Sequence, residues 1–285
     1  MMAAPYAPFG LRRLTRLPGA VLAPVEATGF VLGFIVQVLA SIPTTLRRYR
    51  PQTMRMITDM TWGRGSVIVG GGTVPVLVVL GIAIGAGVGI QGFAALNLVG
   101  MGPLTGVVSA FANTRELAPI AAAVGFAAQA GCRMTAEIGS MRISEEIDAI
   151  ESLGLKSVPF VVTTRLIAGA VTVVPTFLIA LLLSYFACTA VVVVVHGQSP
   201  GVYDHYFYQF VNLNDIMVAT LKMLVFSVAV ILIHCYQGFF ATGGPEGVGV
   251  ASGRAVRASF IAIITLDMVL TLLFWGVNSS ITFSG

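Results

Sequence analysis

Lysine is almost missing from this chain. Lys156 and Lys222 are the only two in 285 residues, and each follows a leucine. No GxxxxGKS or GxxxxGKT loop can therefore be written anywhere, so the chain supplies no phosphate-cradling P-loop of its own. Charge of either sign is scarce, at 10% of residues, and positions 65–114 carry none at all. Cysteine is limited to Cys132, Cys188 and Cys235, scattered through apolar surroundings with no CxxC spacing, so they need no disulfide and read as small core residues. The three histidines, His196, His205 and His234, show no HExxH or comparable ligand spacing, so no metal site is expected. No nucleophile–base constellation stands out, and an enzyme acting on lipid in the membrane has nothing to support it.

What remains is apolar. Hydrophobic residues make up 56% of the chain and the mean hydropathy is +0.92, more than a soluble domain could cover. The chain reads as an all-α polytopic membrane protein. Its 32 glycines suit close helix packing in lipid. The net charge of +4 comes from Arg-rich segments between spans, so it reports membrane topology and implies no nucleic-acid partner.

A cytoplasmic N-terminal segment over residues 1–24 is followed by elbow or interfacial helices over 25–64. The run at 25–46 is marginal for a full crossing, which takes roughly 20 apolar residues. Five spans are expected at about 66–91, 108–138, 163–195, 216–240 and 257–277. Segments 92–114, 196–221 and 276–285 hold no Lys or Arg, while the N-terminus and the other two loops hold most of them. The positive-inside rule then places the N-terminus in the cytoplasm and the C-terminus outside the inner membrane. The outer loop at 196–215 carries His205 among Tyr203, Tyr206, Phe207 and Tyr208, as in an interfacial aromatic belt.

Between the second and third spans lies a polar island holding four of the twelve acidic residues. Ser144 reads as an N-cap with Glu145 and Glu146 in the first turn. Ile143, Ile147 and Ile150, with Leu153 near the same stripe, give one apolar face, while Glu145 and Asp148 point away. A short amphipathic helix, ended by Gly154, follows. Its acidity favours a basic protein partner over an anionic lipid surface.

Within the spans, GVGIQG at 87–92 matches a dinucleotide fingerprint, but it follows no strand and opens no βαβ unit. Gly81, Gly85 and Gly89 form instead a small face for helix packing. Arg133 and Glu137 stand at i, i+4 and can meet on one face. Arg115, Glu116 and Asp267 are further charges at membrane depth, where an ionisable group faces a partner or a cavity.

At these residues a family resemblance appears. RELAP at 115–119, TAEIGSMRISEEIDAIESLG at 135–154, the Lys222 segment and GGPEGVGVASGRAVRAS at 243–259 resemble the MlaE/YrbE permeases of lipid-transporting ABC systems. The likeness spans residues 65–285, and GQSPGVYDHYF with EEIDA is most similar to the B-type YrbE subunit of actinobacterial, including mycobacterial, Mce systems. It implies an elbow helix, five spans and a coupling helix at 141–155. There Ile143, Ile147 and Ile150 would enter a groove of a cytoplasmic Mkl-like (MceG-type) ATPase, and Glu145, Glu146 and Asp148 would meet its basic rim. ATP and Mg would belong to that ATPase, and this chain would hold no cofactor. An A-type YrbE permease would complete a heterodimer, and Mce proteins would stand on the outer side. The implied function is import of a hydrophobic lipid such as a fatty acid, mycolate or sterol. Export by the same machinery, or a proton-coupled carrier using Arg115, Glu116, Glu137 and Asp267, are the alternatives. Two departures from the family pattern are Ser144-Glu145-Glu146 for Thr-Glu-Gln, and Gln129 for Arg.

Overall fold

The computed structural model describes residues 19–63 and 72–276. Most of the expected N-terminal segment, the start of the first expected span and the outer tail after 276 lie outside the described residues. Among the described residues there is no β-strand, and almost all are helical.

Helix α1 (Gly19–Ala40) bends by 41° into α2 (Ile42–Arg48), and α3 (Arg50–Trp62) follows across Tyr49. Pro43 and Pro51 each sit in a first turn, where the missing N–H breaks no helical bond. This elbow is tied down rather than loose. Thr163 donates to the Val38 carbonyl at 3.3 Å, and Met56 and Met60 on α3 are buried in the main core.

Among the described residues, five helices are long and apolar enough to cross a membrane. They are α4 (Thr73–Asn97), α5 (Gly102–Ile143), α7 (Val158–Val195), α9 (Leu213–Phe239) and α10 (Gly244–Gly276). The short α6 (Glu146–Ser152) joins α5 to α7, and α8 (Pro200–Phe210) lies between α7 and α9. The five expected spans are all present, with shifted ends. The first runs to Asn97 and the second starts at Gly102, because the turn sits at Gly100 (φ +73) and Pro103 opens the next helix. Segment 92–114, expected as an outer connection, is therefore mostly helix.

The fifth span shows a larger departure. The glycine-rich run after Gly243 reads as a loop, yet α10 begins at Gly244. Close contacts fix its start: Gly247 is pressed on the Thr242 carbonyl, and Val248 lies where a Cβ on Gly139 of α5 would meet it at 2.8 Å. Pro245 in the first turn favours a helix start there. The expected aromatic belt is divided too, since Tyr203 of α8 is buried while Tyr208 is exposed.

Helix α4 packs along α7 over most of its length. A Cβ on Gly81 would strike the Ala180 carbonyl, one on Gly85 the Ser184 carbonyl, and one on Gly89 the Val191 side chain. Backbones so close exchange dispersion over their whole length, the main attraction available between helices in lipid. Beside this seam Asn113 and Ser184 hydrogen-bond both ways, at 2.8 and 3.1 Å. The central core gathers Phe126 of α5, Phe177 of α7 and Phe226 of α9, all fully buried.

Candidate functional site

Two kinds of chemistry are concentrated in this bundle: a corner of acidic helix at one end, and charged networks between helices.

The corner forms where α5 stops. Ser144 donates its hydroxyl back to the Ser140 carbonyl at 3.0 Å, so it closes α5. The N-cap role expected for Ser144 is not found. Glu145 takes the left-handed region (φ 59, ψ 14), and α6 starts only at Glu146. The chain turns at Glu145, and a hydroxyl before that turn reaches the finished helix rather than the new one. A left-handed backbone at a non-glycine residue is unfavourable and needs surroundings that hold it. Those are present: Arg142 Nη1 reaches Asp148 Oδ1 at 2.8 Å across the corner, and Ser157 donates to Glu151 behind it. Gly154 (φ +77) then ends the element.

The apolar stripe of this helix is divided, contrary to the single partner-facing stripe expected. Ile147 is only 1% exposed and Ile150 packs on the same core, whereas Ile143 and Leu153 are exposed. One helical face can be buried once, and the bundle has already taken Ile147. Glu145, Glu146 and Asp148 all face outward.

The first network lies towards the α6 end. Arg133 meets Glu137 at 2.8 Å as the i, i+4 spacing predicts, and Arg165 of α7 joins Glu137 from the other side at 3.3 Å. Arg133 also donates to the Asp59 carbonyl on α3 at 3.2 Å. Glu137 thus sits where α5 and α7 meet, one step from the elbow.

The second network lies towards the α8 end. Arg115 and Glu116 adjoin in sequence but serve different partners. Arg115 pairs with Asp215 of α9 at 2.8 Å, and its guanidinium lies over Phe111 at 4.3 Å and Trp275 at 5.1 Å. Trp275 donates to the same Asp215 at 2.9 Å. Glu116 faces Lys222 at 3.2 Å, and Lys222 faces Asp267 at 2.7 Å. Asp267, the one acidic residue of the fifth expected span, is therefore not alone. Sequence reasoning missed Asp215 and Lys222 as site residues. The available signal was Lys222 itself, a lone cation in an apolar span that must have a carboxylate near it.

The described residues contain no group of three or more His, Cys, Asp or Glu side chains arranged to hold a metal ion. Apolar spans, interior charge networks and an acidic corner describe a multi-pass membrane protein. The family can be stated: the Permease MlaE model matches residues 63–273, and the chain belongs to that family. A probable ABC transporter permease protein of Rickettsia bellii is 28% identical over 214 residues, covering 72% of this chain and 79% of that one. One from Synechocystis sp. is 31% identical over 176 residues, covering 61% and 67%. The intermembrane phospholipid transport system permease protein MlaE of Haemophilus influenzae is 26% identical over 204 residues, covering 71% and 78%.

Proposed function

We propose that this chain is the B-type YrbE permease subunit of an Mce lipid importer in the inner membrane. It pairs with an A-type YrbE permease, and ATP and Mg are handled by an Mkl-like (MceG-type) ATPase on the cytoplasmic side. Mce proteins stand on the outer side, and the cargo is a hydrophobic lipid. The observation that carries the reading is the corner at Glu145. Its exposed acids, with Ile143 and Leu153 beside them, suit a basic groove with an apolar floor, while Ile147 roots the corner in the permease's own core. The α6 end also carries Arg142, Lys156, Arg254 and Arg257, and residues 196–221 carry no Lys or Arg, which supports a cytoplasmic α6.

In this reading, closure of the ATPase pair presses on α6. The push passes into α5 and α7, which α6 joins directly and Glu137 ties together deeper in the bundle. The outward face of α10, with Ile261, Ile264 and Met268 exposed, suits lipid or the second permease. Replacing Glu145 and Glu146 together by Lys tests the assignment. Lipid uptake should be lost and the ATPase should no longer co-purify, while the permease still inserts at normal levels. Normal uptake by that variant would overturn the coupling role.

A further inference from the structure

Around Lys222 the charges do not balance. The groups facing it come from three helices: Arg115 and Glu116 of α5, Asp215 of α9, and Asp267, Thr271 and Trp275 of α10. Arg115 and Asp215 neutralise each other. That leaves one ammonium between two carboxylates, Glu116 and Asp267. Lys222, about two and a half turns into α9, is fully buried, and Asp267 of α10 is only 8% exposed. An uncompensated carboxylate at such a place is disfavoured, because little water reaches it to solvate the charge.

The hydrogen bonds make the same point. An ammonium has three protons to give. Lys222 Nζ donates to the Arg115 carbonyl at 2.8 Å, to Thr271 Oγ1 at 2.8 Å and to Glu116 Oε2 at 3.2 Å. Thr271 passes its own proton on to Glu116 Oε1 at 2.8 Å. Asp267 Oδ1 lies 2.7 Å from Nζ yet is left with no hydrogen-bond donor aimed at it. The Glu116 and Asp267 carboxyl groups converge on the same Nζ, at 3.2 and 2.7 Å. Two carboxyl groups can share a hydrogen bond only when one of them carries a proton.

We propose that Glu116 and Asp267 share one bound proton, making this three-helix junction a proton-binding site clamped by Lys222. With the proton present, the five charged groups sum to zero and the orphaned oxygen of Asp267 gains a donor. The Glu116 side chain is 32% exposed and gives the proton its route in and out. Loss of the proton leaves two carboxylates on one ammonium, and their repulsion acts between α5 and α10. The site rests on the charges and contacts around Lys222 and stands whether or not α6 docks an ATPase.

Infrared spectroscopy of the full-length protein with its co-purified partners, in lipid nanodiscs at neutral pH, reads the site directly. The expected result is a protonated-carboxyl C=O band that disappears in Glu116→Gln and in Asp267→Asn. The band should persist in Glu137→Gln, whose carboxylate faces two arginines. A wild-type protein without such a band, or a band that survives both neutralising variants, would overturn the proposal. Yield of monodisperse protein gives a second reading. Each single variant leaves Lys222 one carboxylate and should purify at wild-type yield, whereas the double variant should not. Single variants as damaged as the double one would mean that both carboxylates are ionised, and the proposal would fall.

Discussion

Lys222 donates from Nζ to the backbone carbonyl of Arg115, 2.8 Å away, which is the carbonyl whose α-helical donor Pro119 removes. In water such a carbonyl would find a solvent partner. Inside a membrane it needs one from the protein, and the buried lysine of a neighbouring helix provides it. The π-helical turns over Ser109–Leu117 widen the same stretch of α5, turning Arg115 and Glu116 towards different partners. One side chain thus repairs a backbone defect and neutralises a carboxylate.

Lys222→Met should therefore cost about 3–5 kcal/mol, as for removal of one partner from a buried ion pair. The variant keeps most of the side chain's apolar stem but leaves the Arg115 carbonyl and two carboxyl groups without their cation. Thermal unfolding in detergent would show the loss. Adding Glu116→Gln and Asp267→Asn to it should restore most of the stability, because no unpaired charge then remains.

The α4–α7 seam predicts a sharp difference between neighbouring glycines. Gly85→Ala places a methyl against the Ser184 carbonyl and should destabilise by about 1–3 kcal/mol through forced backbone separation. Gly87→Ala meets nothing nearer than the Gln91 side chain at 4.0 Å. It should be neutral or gain up to about 1 kcal/mol from helix propensity. Comparing unfolding midpoints of the two variants checks the crossing.

At the corner, Glu145→Gly should raise stability by about 1 kcal/mol by relieving the left-handed backbone. Glu145→Ala keeps that strain and should not. Both remove the carboxylate, so both should weaken retention of the ATPase equally. Unfolding midpoints would separate the two variants, and pull-down would group them together.

The division of the apolar stripe predicts two separable phenotypes. Ile147→Ala hollows a fully buried position and should cost about 2–5 kcal/mol in fold stability. Leu153→Ala, at 78% exposure, should leave stability within about 0.5 kcal/mol of wild type while reducing ATPase binding. If Leu153→Ala left binding untouched, this side chain would not be part of the docking face.

Much of this architecture was legible in one dimension. Hydropathy runs identified five spans, because a bilayer demands some twenty apolar residues in a row and soluble loops do not supply them. The spacing of Gly81, Gly85 and Gly89, and of Arg133 and Glu137, lies within single helices, where periodicity alone puts side chains on one face. The amphipathic corner announced itself by its acids. Other features escaped because they depend on which helices meet. Glycine-rich composition reads as loop when it is counted locally, yet Gly139 and Val248 pack two helices together across more than a hundred residues. The same limit hid the pairing of Arg115 with Asp215 and of Lys222 with both Glu116 and Asp267. A helix's own sequence says that a charge at membrane depth needs a partner; only the packing of α5, α9 and α10 decides which one, because ion pairs form across space between residues far apart in the chain.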